Sequence, residues 1–232
     1  MIKRLQRLGL VLALFGLAFV AAGGYAYIKV QDGQKSLTAF SAAQSVKLSY
    51  NAEGQLVDRG ETAGAAAIMD LLTKDWGYVT NAADFNPADP TINTASEYMY
   101  QMATVSYHVL HGTQTITLDE DYTAPDGTFY AAGSPIEFAV DGRYYSQFDR
   151  SDPVQAAARG QAWSPTALAL VGQLGVGAAT ASSLQLGLGV AGALAGIGLI
   201  FLIAGLGLVW AVRPETAKAA ARQPAFAPAA AE

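Results

Sequence analysis

The chain contains no cysteine, which excludes disulfides, thiolate metal sites and cysteine nucleophiles. Histidine is nearly as scarce, with His108 and His111 alone. Charge is thin: 14% of residues are Asp, Glu, Lys or Arg, against about 25% in an ordinary soluble domain. The shortage is concentrated, since no charged residue occurs from Leu8 to Ile28 or from Gly160 to Val212. There is no Gly-x-Ser-x-Gly elbow, no phosphate-cradling glycine motif and no internal repeat.

What remains is 52% hydrophobic and divides into two apolar runs around a polar middle. Leu8–Ile28 is 21 residues long, about 31 Å as a helix, enough for a hydrocarbon core of about 30 Å. Tyr25 and Tyr27 stand at its outer end, where amphipathic rings favour an interface. Leu184–Val212 is the second run, closed by Trp210 and Arg213 and followed by Pro214, which is expected to break the helix. Lys3, Arg4 and Arg7 precede the first run, and Arg213, Lys218 and Arg222 follow the second; the only acids at these ends are Glu215 and Glu232. Between Lys29 and Arg159 lie eight basic and 17 acidic side chains. Positive flanks stay in the cytoplasm, so both termini are expected inside and the middle outside a bacterial cytoplasmic membrane. A cleaved signal peptide competes for the first run, with Met1–Arg7 as its basic region and a cut after Ala22 or Ala26.

The fold expected is a membrane protein with two transmembrane α-helices flanking an α+β extracytoplasmic domain. Residues 1–7 form the inner end, 8–28 the first span, 29–162 the outer domain and 163–183 an apolar helical extension. Residues 184–212 form the second span and 213–232 an Ala/Pro-rich cytoplasmic tail, disordered from Ala217 on. Small residues place Gly9, Ala13, Gly16 and Gly23 on one stripe of the first span. On the second, Gly189, Gly192 and Gly196, with the pairs Gly192-xxx-Gly196 and Ala191-xxx-Ala195, mark a close-packing face. Ser164-Pro165 is a helix start. The uncharged stretch beyond it extends the second span outward or lies along the membrane surface with a bend near Gly175–Gly177.

In the outer domain, Val46–Tyr50 and Gln55–Asp58 alternate around a turn as a hairpin. Glu61–Trp76 has helical apolar spacing, and Asn81–Asn93 is a loop. Thr94-x-x-Glu97 is a capping box that opens a helix to about His111, ended by Gly112. Thr113–Leu118, Thr128–Ala131, Ile136–Val140 and Arg143–Phe148 are predicted strands, with turns at Asp126-Gly127 and Asp141-Gly142. The domain should hold two helices and a small antiparallel sheet of five or six strands.

Candidates for chemistry are few. His108 and His111 share a helical face, yet a metal site needs three or four converging ligands, and only Asp119, Glu120 and Asp121 offer themselves nearby in sequence. The 119–127 stretch fails EF-hand spacing. Glu97 with Glu137 is a conceivable carboxylate pair. No cofactor is expected, and the acidic middle disfavours nucleic acid. Tyr98, Met99, Met102, Trp163 and Leu168 are the candidates for partner contact, being aromatic or flexible apolar residues of the kind enriched at recognition surfaces; Tyr100, Tyr107, Tyr144, Tyr145 and Phe148 add to the aromatic cluster. The function expected is a non-catalytic accessory subunit of a larger bacterial membrane complex, bioenergetic or oxidative, packing by its spans against other integral membrane subunits. The alternatives are an extracytoplasmic ligand-binding or sensor module, which requires an apolar pocket of several hundred cubic ångströms, and a metal-dependent enzyme built on the two histidines.

Overall fold

A computed structural model describes the backbone of residues 2–221 and the side chains of residues 2–212. The described chain forms two compact units, residues 2–33 with 183–221, and residues 34–182. Five α-helices and four short strands make it up: α1 (Ile2–Ala43), α2 (Thr62–Asp70), α3 (Ala95–Leu110), β1 (Thr113–Thr117), β2 (Tyr122–Thr123), β3 (Phe129–Tyr130), β4 (Pro135–Ala139), α4 (Pro153–Ala162) and α5 (Pro165–Ala221). α1 and the Pro165–Val212 part of α5 are each long and apolar enough to cross a membrane.

The first unit pairs one part of α1 with one part of α5, antiparallel and very close. A β-carbon built at Gly9 would lie 2.7 Å from the Gly205 carbonyl oxygen, and one at Gly16 would lie 2.5 Å from the Leu202 nitrogen and 2.6 Å from the Gly198 oxygen. One at Gly23 would lie 2.8 Å from the Ala191 oxygen, and one at Gly205 would lie 2.5 Å from the Ala13 nitrogen. The register is therefore Gly9 against Gly205, Gly16 against Gly198 and Gly23 against Ala191. Each set recurs every seven residues. That period keeps one seam facing a partner in a left-handed supercoil. Phe19 meets Phe201 edge to face beside the seam, with ring centroids 6.2 Å apart.

Of the face expected on the second span, the alanine pair meets α1 and the glycines do not. A β-carbon at Gly189, Gly192 or Gly196 would meet nothing within 4 Å; Ala191 and Ala195 face α1, with Gly198 and Gly205. The four-residue Gly-xxx-Gly pattern belongs to right-handed crossings, whereas this pair follows the seven-residue repeat. Two helix ends also differ from expectation. α1 continues beyond Ile28 to Ala43, because no proline interrupts the intervening residues. It ends in a Schellman motif with Ser45 at φ 55°, its N–H bonding Ala42 O at 3.0 Å and that of Val46 bonding Ser41 O at 3.2 Å. The motif usually holds glycine at this position, so the stop carries no glycine signal. α5 runs without a break at Gly175–Gly177, and its backbone continues through Pro214 to Ala221. Proline forfeits one backbone bond there, and the Ala-rich residues after it are strong helix formers. The remainder of the expected disordered tail, residues 222–232, lies outside the described residues.

The second unit has its core in Ile68, Leu72, Ile92, Ala103, Ile116, Val140 and Ala158, all fully or almost fully buried. α2 is followed by a π-helical turn at Leu71–Asp75, where the Trp76 N–H reaches back to Leu71 O at 3.0 Å. Residues 81–93 form a loop with one 3-10 turn, Ala82–Asp84. α3 opens with the expected capping box: the Thr94 hydroxyl accepts from the Glu97 N–H, and the Glu97 carboxylate accepts from the Thr94 N–H at 2.9 Å.

The sheet is smaller than expected. β1 pairs antiparallel with β4, Ile116 opposite Ile136, and β2 pairs with β3, as two separate two-stranded ribbons. The expected hairpin of residues 46–58 reduces to one internal bridge, Tyr50 to Leu56, while Lys47 bridges to Thr91 and Asp58 to Glu61; Asn51 Oδ1 accepts from the N–H groups of Glu53 and Gln55 and tightens the turn locally. Arg143–Phe148 is a turn, closed by the Gln147 N–H on Tyr144 O at 2.8 Å and the Tyr144 N–H on Gln147 Oε1 at 2.7 Å. α4 is an element that the sequence reading does not contain. Asp152 caps it, accepting from the Val154 N–H at 2.9 Å, and Pro153 is its first residue.

Candidate functional site

A cavity of about 550 Å³ lies among three helices of the second unit. α1 contributes Leu37, Phe40, Ser41 and Gln44; α3 contributes Tyr98, Gln101 and Val105; α5 contributes Leu170, Gln173, Leu174, Val176, Gly177 and Thr180. Val46 completes the lining. The volume falls within the roughly 300–1,000 Å³ of small-molecule sites, and an apolar wall with few polar groups is their usual chemistry. Ser41 Oγ and the Tyr98 hydroxyl are hydrogen-bonded at 2.5 Å, and both residues are at most 5% exposed. A β-carbon at Gly177 would overlap the Tyr98 ring, so glycine on α5 is what lets the ring lie where it does.

The candidates for partner contact fall into different environments. Tyr98 is buried against Ser41 and Gly177, and Trp163 is buried too. The Trp163 indole N–H donates to Arg143 O at 3.0 Å, and its ring stacks on Tyr144 at a centroid distance of 6.0 Å. These two are core residues, corrected from the expected outer patch: a helix laid over other elements turns its largest rings inward. Met99 and Met102 are half-buried, and Leu168 is exposed.

The histidines do not converge. His108 Nε2 bonds Asp58 Oδ1 at 3.0 Å, while His111 Nδ1 lies 2.9 Å from the Tyr107 carbonyl oxygen and its ring packs on the Tyr107 ring at 4.1 Å. Among the described residues no group of three or more His, Asp or Glu is placed to hold a metal ion. Asp121 accepts from the Ala132 N–H at 2.8 Å. Glu97 and Glu137 have separate partners: Glu137 accepts from the Thr115 hydroxyl at 2.8 Å on the exposed face of β4, while Glu97 is 1% exposed.

Glu97 carries the main electrostatic tension of the unit. Burial pushes its carboxyl above the ordinary value of 4.5, the Asn93 and Thr94 N–H groups and the Thr94 hydroxyl pull it back, and the Asp89 charge adds a smaller upward push. Nearby, Tyr50 and Tyr100 hold hydroxyls with no partner in the protein. Burial raises both phenols; the Glu97 charge adds to the shift of Tyr50, and the Asp58 charge and Tyr50 to that of Tyr100. Neutral phenols of this kind donate hydrogen bonds and do not serve as bases.

Sequence reasoning names Tyr98 but not its role and Gly177 only as part of a bend, and it does not reach Ser41, Gln101 or Val105. The cavity draws on three stretches far apart in sequence, and no local pattern links them. No family model, no curated protein and no solved structure matches this chain.

Proposed function

We propose that this chain crosses a bacterial cytoplasmic membrane twice, both ends inside, and serves as a non-catalytic accessory subunit of a larger membrane complex of bioenergetic or oxidative type. One observation carries this reading. Of the glycines of α5, Gly187, Gly198 and Gly205 close against α1 and Gly175 and Gly177 against α3, whereas Gly172, Gly189, Gly192, Gly196 and Gly207 have open space. Each glycine costs a helix about 1 kcal/mol relative to alanine, and the close approach to α1 and α3 accounts only for the closed ones. A neighbouring helix approaching at the open ones accounts for the rest. The engagement of His108 by Asp58 and of His111 by its own helix also favours a role without chemistry. Native mass spectrometry of the tagged protein, purified in mild detergent from its own cells, tests the proposal. A stoichiometric membrane partner is the expected result, lost in a Gly192→Leu/Gly196→Leu double variant; a strictly monomeric chain refutes it.

A second reading, an extracytoplasmic ligand-binding module, is favoured by a different observation, the apolar cavity among α1, α3 and α5. It predicts a small molecule that remains bound after detergent exchange.

A further inference from the structure

We infer that the cavity among α1, α3 and α5 binds an uncharged bilayer amphiphile, a single hydrocarbon chain with a neutral carbonyl- or hydroxyl-bearing head. This rests on the ligand-binding reading and names its ligand class.

The lining decides the charge. It contains no Asp, Glu, Lys, Arg or His, so a carboxylate or phosphate seated at the buried Ser41–Tyr98 end would lose its hydration with no counter-charge, a cost of several kcal/mol or a forced neutralisation. A neutral head meets a different balance. Ser41 and Tyr98 share one hydrogen bond, and each hydroxyl has one donor and two acceptor positions. One hydroxyl hydrogen and several lone pairs of this buried pair thus remain for a ligand carbonyl or hydroxyl, and the half-buried Gln101 carboxamide adds a donor and an acceptor at the same wall.

The size decides between a chain and a helix. At about 30 Å³ per heavy atom, the liquid volume of a water molecule, 550 Å³ holds roughly 18 atoms, a small head and a medium-length acyl or short isoprenoid chain together. Two turns of a helix about 10 Å across occupy roughly 850 Å³ or more, too much for the space. The source follows from the elements. Leu37 and Phe40 belong to the same helix as the first apolar run, and Leu170, Leu174 and Val176 to the same helix as the second. Both runs are suited to a bilayer, where such amphiphiles are the abundant solutes.

The test uses the full chain in nanodiscs with two probes of equal chain length, glycerol monodecanoate, whose about 17 heavy atoms suit the space, and decyl sulfate, which stays anionic at any working pH. Bound stoichiometry and Kd are read by native mass spectrometry and by equilibrium titration. One glycerol monodecanoate per chain is expected, at least tenfold tighter than decyl sulfate. Val105→Trp, which fills the lumen, should weaken it at least tenfold. Thr180→Trp, placed at the exposed rim, should do the same if Val105→Trp fails to fold. Val79→Trp, at a position 89% exposed and outside the lining, should leave it unchanged. Ser41→Ala should weaken it by about tenfold, the worth of one hydrogen bond. Decyl sulfate binding as tightly as its neutral counterpart overturns the neutral-head assignment while keeping the ligand-binding reading. Binding of neither probe, binding indifferent to the tryptophans, or occupation of the cavity by a co-purifying protein overturns both.

Discussion

Replacing Gly16 and Gly192 separately by alanine compares two glycines of the same unit that differ in one physical respect. Each change gains about 1 kcal/mol of helix propensity, so that gain cancels between them. At Gly16 the new β-carbon would stand 2.5 Å from the Leu202 nitrogen and 2.6 Å from the Gly198 oxygen, whereas ordinary contact begins at 3.4 Å. Both obstacles are backbone atoms and have no rotamer to change. The helices must therefore part by nearly 1 Å at that point, and a gap of about 0.5–1 Å forfeits a quarter to a half of each neighbouring dispersion contact. Overpacking of this kind costs about 1–3 kcal/mol. At Gly192 the added methyl would meet nothing within 4 Å. Gly16→Ala should thus be less stable than Gly192→Ala by about 1–3 kcal/mol. Reversible unfolding in mixed micelles with increasing dodecyl sulfate measures the difference. Because the chain has no native cysteine, a disulfide introduced across the seam reports the separation independently. Equal stability of the two variants, or a stabilised Gly16→Ala, would falsify the seam.

Two further outcomes follow from the second unit. His108→Ala strips Asp58, whose side chain is 15% exposed, of its partner and should cost about 1–3 kcal/mol, while His111→Ala on the exposed helix end should stay within about 0.5 kcal/mol; chemical denaturation that reverses this order refutes the assignment. Glu97 supplies a pH dependence. Its carboxyl is raised by burial above its ordinary 4.5, so the folded state holds this proton more tightly than the unfolded one. Its contribution therefore becomes less favourable as pH rises from that ordinary value through the raised one, stays so above it, and recovers on acidification into that window. The difference in unfolding free energy between the native chain and Glu97→Gln, followed from about pH 4 to 7, should shift in favour of the variant; a difference moving the other way refutes the assigned direction.

Much of the local structure is legible in the residues. Thr94 and Glu97 announce α3 because a capping box is a contact within one turn of chain. Asp126-Gly127 and Asp141-Gly142 announce turns because the backbone there takes positive φ, 87° at Gly127 and 74° at Gly142. Asp152-Pro153 carries the same kind of helix-start signal as Ser164-Pro165, and a strand placed over Arg143–Phe148 hides it. Other features are not written locally. Ser45 ends α1 in a conformation usually left to glycine, and Gln147 folds back on Tyr144 through a side chain that strand propensity does not weigh. The glycine seam is present in the sequence, but as a period of seven; of the four-residue pairs, Ala191-xxx-Ala195 lies on that seam and Gly192-xxx-Gly196 does not. The cavity is the least legible feature, since Ser41, Tyr98 and Gly177 come together only once α1, α3 and α5 have packed.

The seam between α1 and α5 also imposes a timetable. Gly23 and its mate Ala191 are separated by about 170 residues, and translation at about 5–20 residues per second places roughly 8–34 s between them. For that interval the stripe of Gly9, Gly16 and Gly23 exists without its complement, its carbonyls and amides flanked by no side-chain bulk. No segment of this chain can cover it until residues 191–205 have been made. The seam that holds the finished pair together is thus also the part of the newborn chain most open to engagement with the wrong helix.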